Sequence, residues 1–196
     1  RLIETNVTYE SDEMLSRYLM MHWGEDHQRF DPSITSQLVL PQVVELPIIC
    51  AEFVRRFTSE RQRALDLGCA VGRTTFELAR DFQEVIGIDY SRQFIDAARH
   101  LQEHGRIDYQ RKDQGMQMTR LTALVEPSID RTRIHFEVGD ACDLSSHLQD
   151  FDAVVLANVL CRLPNPRICL ECMQGERALV KRGGVLVMTT PLSWLP

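Results

Sequence analysis

No Gly-Lys-Ser or Gly-Lys-Thr triplet occurs in this sequence, so it carries no phosphate loop of the NTPase kind. No apolar run approaches the roughly 18 to 20 residues of a membrane span. No basic-then-apolar segment opens the chain either, so neither a membrane helix nor a secretory leader is expected. Positive charge is in short supply: 22 Lys and Arg face 28 Asp and Glu, a formal net charge of -6. A phosphate-backbone binder wants a basic surface, so nucleic acid is not an expected partner and a small molecule is easier to reconcile. Internal repeats and low-complexity tracts are missing too. The 6 cysteines (Cys50, Cys69, Cys142, Cys161, Cys169 and Cys172) are scattered through mostly apolar runs. They read as reduced, buried thiols of a cytoplasmic protein rather than a disulfide framework. Cys169 and Cys172 have C-x-x-C spacing, but no second Cys/His pair stands at zinc-site spacing. A coincidence of helix spacing is preferred there to a metal or redox pair, and no metal is expected.

What is present suits one domain with a modest extension: 196 residues, 44% hydrophobic and 26% charged, enough for a core that needs no disulfide or metal. The chain opens at Arg1 rather than Met, as a piece of a longer protein would. Residues 1–60 read as an irregular to helical lead-in, and residues 61–196 alternate strand and helix signals. Strands are expected at Arg63–Leu67, Glu84–Ile88, Ile134–Val138, Phe151–Ala157 and Val185–Thr189, the last entered through a turn at Gly183-Gly184. Helices are expected at Thr74–Phe82, from the Ser91 cap through Leu101, and over Ile168–Val180. Such alternation implies a parallel sheet with right-handed crossovers. The stretch of about 104–133 is long for a connection. It is expected to be either a lid over a substrate pocket or a solvated loop with one extra helix.

The chemistry concentrates after the first strand. Asp66-x-Gly68-x-Ala70-x-Gly72 closes that strand and opens a helix, and its glycines allow close backbone approach and unusual φ. Open α/β sheets bind ligands just beyond the carboxyl ends of their strands, so this loop lies where a cofactor should be. Asp66 suits a cofactor with an ammonium group. The G-x-G-x-x-G pattern of dinucleotide enzymes is absent, since no glycine stands two residues after Gly68. Asp89, 23 residues on (89 − 66), ends the second strand. It can accept hydrogen bonds from both hydroxyls of a ribose, or serve as a helix N-terminal acid beside Ser91. Gly139-Asp140-Ala141 follows the third strand, where an acid could hold an adenine amine or merely form a turn.

Taken in order, LDLGCAVG, GIDYS, GDAC, FDAVVLANVLCRLP and KRGGVLVMTTP resemble the motifs of class I S-adenosylmethionine-dependent methyltransferases over residues 61–191. Ala70 stands where glycine is commonest, a mild departure because Ala is small. A closer resemblance spans nearly the whole chain. The lead-in from Tyr9-Glu10-Ser11-Asp12 to YLMMHWG, with RALDLGCAVGRTTFELA and LANVLCRLPNP, is similar to the methyltransferase domain of ovothiol biosynthesis enzymes. In that family the domain follows an iron-dependent sulfoxide synthase region and methylates a ring nitrogen of thiohistidine (4-mercaptohistidine).

The resemblance implies an α/β fold: a Rossmann-like class I methyltransferase sheet with helices on both faces. The final antiparallel hairpin of that fold is missing from this sequence, which stops at Pro196 just after the fifth strand. That would uncover a sheet edge and remove one wall of the pocket. The cofactor implied is S-adenosylmethionine, with S-adenosylhomocysteine as product. Asp66, Gly68 and Gly72 would hold its methionine part, Asp89 the ribose, Asp140 with Ala141 the adenine, and Cys69, Ala70, Tyr90 and Asn158 would also belong to the cofactor site. Asn158 sits where the methyl group should emerge. For the acceptor, Tyr9, Tyr18 and His22 of the lead-in are candidates, with His22 a possible base, and Arg162 would meet a substrate carboxylate. The lead-in would fold over the site as a lid. Packing alone could equally explain its helix, because Leu15, Leu19 and Trp23 fall at helical spacing. Competing readings are a methyltransferase for another small molecule, a nicotinamide-dependent oxidoreductase on a similar sheet, and a non-catalytic methyltransferase-like module of a larger enzyme.

Overall fold

A computed structural model describes residues 9–25, 45–113, 116–191 and 193 of the protein. Of the lead-in, residues 1–8 and 26–44 lie outside the described residues. The elements in chain order are α1 (Asp12–Trp23), α2 (Leu46–Phe57), β1 (Arg63–Leu67), α3 (Arg73–Leu78), β2 (Glu84–Asp89), α4 (Arg92–His104), β3 (Arg106–Lys112), β4 (Met118–Leu124), β5 (Ile134–Val138), β6 (Phe151–Ala157), α5 (Pro166–Glu171) and β7 (Val180–Thr189). Short 3-10 turns precede β5 and follow β6.

The central sheet is parallel, in the order β5-β2-β1-β6-β7. Chain order therefore reverses beside β1, which opens a crevice between the loops after β1 and β6. Register brings the carboxyl ends to one edge: Leu67 pairs Ile88, Asp89 pairs Val138 and Ala157 pairs Thr189. Alternation along the strands builds a core on each face. Ala64, Val85, Ala153 and Val155 face a cluster containing Leu19, Val54, Phe76, Phe94 and Leu101 from α1 to α4. Leu65, Leu67, Ile86, Ile88, Val154 and Leu156 face Leu148, Cys169 and Leu179. Asp152, buried in β6, accepts from the backbone N–H groups of Gln62 and Arg63 (2.6 and 2.8 Å) and pairs with Lys181, which satisfies its charge.

Four elements depart from the sequence reading. The helix expected over Thr74–Phe82 ends at Leu78, with residues 79–81 in turns. The stretch 104–133 is neither a lid nor a loop with a helix. It is an antiparallel hairpin, β3 with β4, followed by the 3-10 turn Arg131–Arg133. Its signal was a period of two, with Tyr109 and Ala123 buried and Ile107 and Leu121 packed against the core. The hairpin packs under α1, and none of its residues lines the main cavity. The helix expected over 168–180 stops at Glu171, because Gly175 (φ 95°) turns the chain and Leu179 and Val180 bond into strand geometry beside Phe151. Gly183-Gly184 does not precede the last strand but lies within it. Five residues of β7 accompany two of β6 there, since Val180 pairs Phe151 and Val185 pairs Ala153. Among the described residues no strand follows β7. No described helix is long and apolar enough to cross a membrane, and no described group of three or more His, Cys, Asp and Glu could hold a metal ion. The cysteines are all free thiols.

Candidate cofactor and acceptor site

The loop after β1 is built by its backbone. Gly68 has φ 80°, and a Cβ there would lie 2.2 Å from Cγ2 of Val159. Only a missing side chain lets the loops after β1 and β6 meet. The N–H groups of Gly68 and Cys69 both donate to the Ile88 carbonyl (2.7 and 2.9 Å), which ties the loop to β2. Ala70 has φ 48°, so its departure from glycine is one of conformation as well as size. Gly72 (φ 83°) opens α3, and a Cβ on it would meet Phe136 at 2.7 Å. Gly72 does not line the cavity, and its close neighbours are the rings of Phe136 and Phe76.

Asp89 stands at the helix N-terminus beside Ser91, which is one of its two sequence readings, and also lines the cavity. Its Oδ1 accepts from Ser91 N (2.9 Å) at the start of α4, and its Oδ2 accepts from Ala70 N (2.8 Å) in the cofactor loop. Burial raises its carboxyl above the ordinary range against the pull of those two bonds. Asp140 likewise forms a turn, its Oδ1 accepting from Cys142 N (2.8 Å), while also lining the cavity. Asp66 is buried and accepts from the Thr75 hydroxyl at 2.7 Å. Burial pushes its carboxyl up to about 7, with the Thr75 bond pulling the other way.

The lead-in closes the other side. Ser11 caps α1 by accepting from Met14 N at 3.2 Å, and Trp23 is buried at the far end. Trp23 stands edge-on to Phe76, donates its indole N–H to the Val71 carbonyl (3.3 Å), and lies under the Arg73 guanidinium. At the near end Glu10 accepts from Gln93 N (3.2 Å), Asp12 accepts from Gln93 Nε2 (2.8 Å), and the Ser91 hydroxyl donates to the Tyr9 carbonyl (3.4 Å). Tyr18 lies against Phe94 with centroids 4.6 Å apart, shares a side-chain hydrogen bond with Tyr9, and has His22 5.6 Å away. Its phenol is pushed up by burial first and by Tyr9 second, so it stays protonated.

These groups meet in one cavity of about 300 Å³, at the lower end of ligand-pocket sizes. Asp66, Gly68, Cys69, Ala70, Asp89, Tyr90, Asp140, Ala141 and Asn158 line one part of it. Tyr9, Tyr18, His22 and Arg162 join them. Sequence reasoning missed Glu10, Met21, Leu46, Pro47, Thr74 and Pro164 in the lining. Of these, only Glu10 carried a readable sign, as an acid beside the lead-in helix cap. Ser91 was read as a helix cap alone, yet its Oγ accepts from Phe94 N (3.2 Å) and also ties down Tyr9. Ser91→Ala is expected to cost about 1 kcal/mol, the usual loss for a helix cap. It should appear as a lower urea midpoint with an unchanged slope.

Residues 65–186 match the family described as a methyltransferase domain. The chain belongs to that family. The methyltransferase domain takes S-adenosylmethionine as its cofactor, and the donor set fits it. Asp66, Asp89, Asp140 and Glu10 line a cavity in which Arg162 is the one arginine among the described residues, which favours a ligand carrying positive charge and hydroxyl donors. A ubiquinone biosynthesis O-methyltransferase of Actinobacillus pleuropneumoniae is 30% identical over 131 residues, 66% of this chain and 45% of that protein. The chain thus spans about half the length of the curated relatives it matches. Among solved structures, the [4+2]-cyclase SpnF aligns over 95% of this chain and 59% of its own, with TM-score 0.60 and 18% identity. CalS10, an amino pentose methyltransferase from Micromonospora echinaspora solved with S-adenosylmethionine bound, aligns over 77% of this chain and 53% of its own, with TM-score 0.52 and 21% identity. These two likenesses speak to the fold.

Proposed function

We propose that the protein transfers a methyl group from S-adenosylmethionine to a ring nitrogen of 4-mercaptohistidine. The observation that carries this reading is the convergence of Tyr9, Tyr18, His22 and Arg162 on the same cavity as Asp66, Asp89 and Asp140. The lead-in that resembles the ovothiol enzymes thus supplies the side chains beside the cofactor loop. Arg162 offers a guanidinium to an amino-acid carboxylate. Tyr18 and Tyr9 offer an aromatic wall and hydroxyl groups to an imidazole. His22 is placed to select the tautomer whose lone pair is free. When bound, S-adenosylmethionine supplies an electrophilic methyl on a sulfonium. The protein's part is orientation and exclusion of water. In this reading the lead-in is a lid, the reaction takes place in the cytoplasm, and an iron-dependent sulfoxide synthase region acts with this domain, fused or associated.

A second acceptor class has a specific observation behind it: the 30% identity to ubiquinone O-methyltransferases favours a phenolic oxygen. Incubating the protein with S-adenosylmethionine and either 4-mercaptohistidine or a catechol, then weighing products by mass spectrometry, separates the two. Gain of one methyl on the thiohistidine ring supports the first reading, and gain on the catechol alone replaces it. No product from the full-length protein would favour a non-catalytic module.

The Asp66 carboxyl makes a pH prediction. Its folded value of about 7 lies above the ordinary carboxylate range, so the fold holds a proton that the unfolded chain releases. The stability this gives is fully present at low pH and is lost as pH rises toward about 7. An ammonium beside the carboxylate reverses that preference. Binding of S-adenosylhomocysteine just below neutral pH is therefore expected to expel a proton. Calorimetric heats in two buffers of different ionisation enthalpy should differ for the wild type and agree for Asp66→Asn.

A further inference from the structure

We infer that Thr189, at the end of β7, positions the Asn158 carboxamide so that its amino group, not its oxygen, faces the acceptor. This rests on the reading that the loop after β6 meets the substrate. Asn158 follows directly on β6 and has φ 60°, the left-handed region that Asn tolerates better than most residues. Its backbone is held on both sides. Asn158 N donates to the Thr189 carbonyl at 3.0 Å, and the Cys161 thiol donates to the Asn158 carbonyl at 3.4 Å. Ahead of this, Ala157 pairs Thr189 in the sheet register, so the two residues sit level at the carboxyl edge.

Within that frame the Thr189 hydroxyl donates to Asn158 Oδ1 at 3.1 Å. A carboxamide has one oxygen that accepts and one nitrogen with two N–H donors. With the oxygen held by Thr189, the donors are what Asn158 offers to the cavity it lines. A donor sharing the attacking atom's own lone pair would blunt the nucleophile. The geometry therefore assigns Asn158 to a neighbouring lone pair of the acceptor, leaving the attacking pair free. Thr189 touches neither cofactor nor acceptor in this scheme. It is a positioning residue that acts from the last strand through one hydroxyl.

The test uses Thr189→Val, Thr189→Ser and Asn158→Asp in the whole protein. Thr189→Val is expected to lower kcat/KM for 4-mercaptohistidine about tenfold, the scale of one lost orienting hydrogen bond. S-adenosylhomocysteine affinity should stay unchanged, melting temperature should fall by no more than about 2 to 4 °C, and Thr189→Ser should restore the rate. Asn158→Asp, which offers only oxygens, should lose acceptor turnover; if it keeps it, the assignment of donors is overturned. The side-chain amide signals of Asn158 in a ¹⁵N-labelled sample supply a readout that needs no turnover. They should shift in Thr189→Val and return in Thr189→Ser, and Thr189→Ala gives the same readout should valine fail to pack. Unmoved signals overturn the positioning role whatever the acceptor is. Signals that move in a protein inert toward thiohistidine leave Thr189 in its role and overturn only the choice of substrate.

Discussion

Gly68→Ala should destabilise the protein by about 2 to 5 kcal/mol. Two costs combine: about 1 to 2 kcal/mol for an L side chain in the left-handed region, and about 1 to 3 kcal/mol for forcing a methyl into a filled space. The first follows from φ 80° and the second from Cγ2 of Val159, 2.2 Å from the new Cβ. Relief by movement of the loop would break the bonds from Gly68 and Cys69 to the Ile88 carbonyl, which tie the loop to β2. A second substitution separates the terms. Val159→Ala in the Gly68→Ala background should return the steric part and leave the conformational part, so that the double mutant is less destabilised than the sum of the two single mutants in a denaturant-based double-mutant cycle. Additive effects would show that the two loops do not touch as described.

The second large effect is at Asp89. Asp89→Ala is expected to weaken S-adenosylhomocysteine binding by more than about 100-fold. Hydrogen bonds to a charged group contribute about 1.5 to 3 kcal/mol each, and in the proposed reading Asp89 accepts from two ribose hydroxyls. The loss has an indirect part as well. Ala70 N would be left without its 2.8 Å acceptor, at a residue already held at φ 48° by that bond. Asp89→Asn keeps one acceptor oxygen and should fall between the wild type and Asp89→Ala. Calorimetric titration measures all three. Affinity retained within a few-fold in Asp89→Ala would confine Asp89 to helix capping at Ser91.

Much of this was legible in the sequence because the strands end in polar residues whose positions are set by register. Asp66, Asp89, Asp140 and Asn158 could be placed on one edge once the five apolar runs were read as parallel neighbours, and the sheet brings them into one cavity. The hairpin over Arg106–Lys112 and Met118–Leu124 was harder, since its alternate residues include Arg, Asp and Lys and its burial is partial. Helical spacing over-extended the helix after Pro166 because Leu179 and Val180 continue the apolar period while belonging to the next strand. The contribution of Thr189 left no local mark at all. It depends on Ala157 and Thr189, 32 residues apart (189 − 157), standing level across a ladder.

The lead-in helix α1 is fastened at two places far apart along it. Gln93 and Ser91 hold the segment from Tyr9 to Asp12, and the indole of Trp23 reaches the Val71 carbonyl at the other end. A segment tied only once frays from its loose end, but one tied twice opens when both ties part together. The backbone amides between Leu15 and Trp23 should therefore exchange with deuterium as a single cooperative unit. Their common opening free energy would set how often the cavity is exposed to solvent.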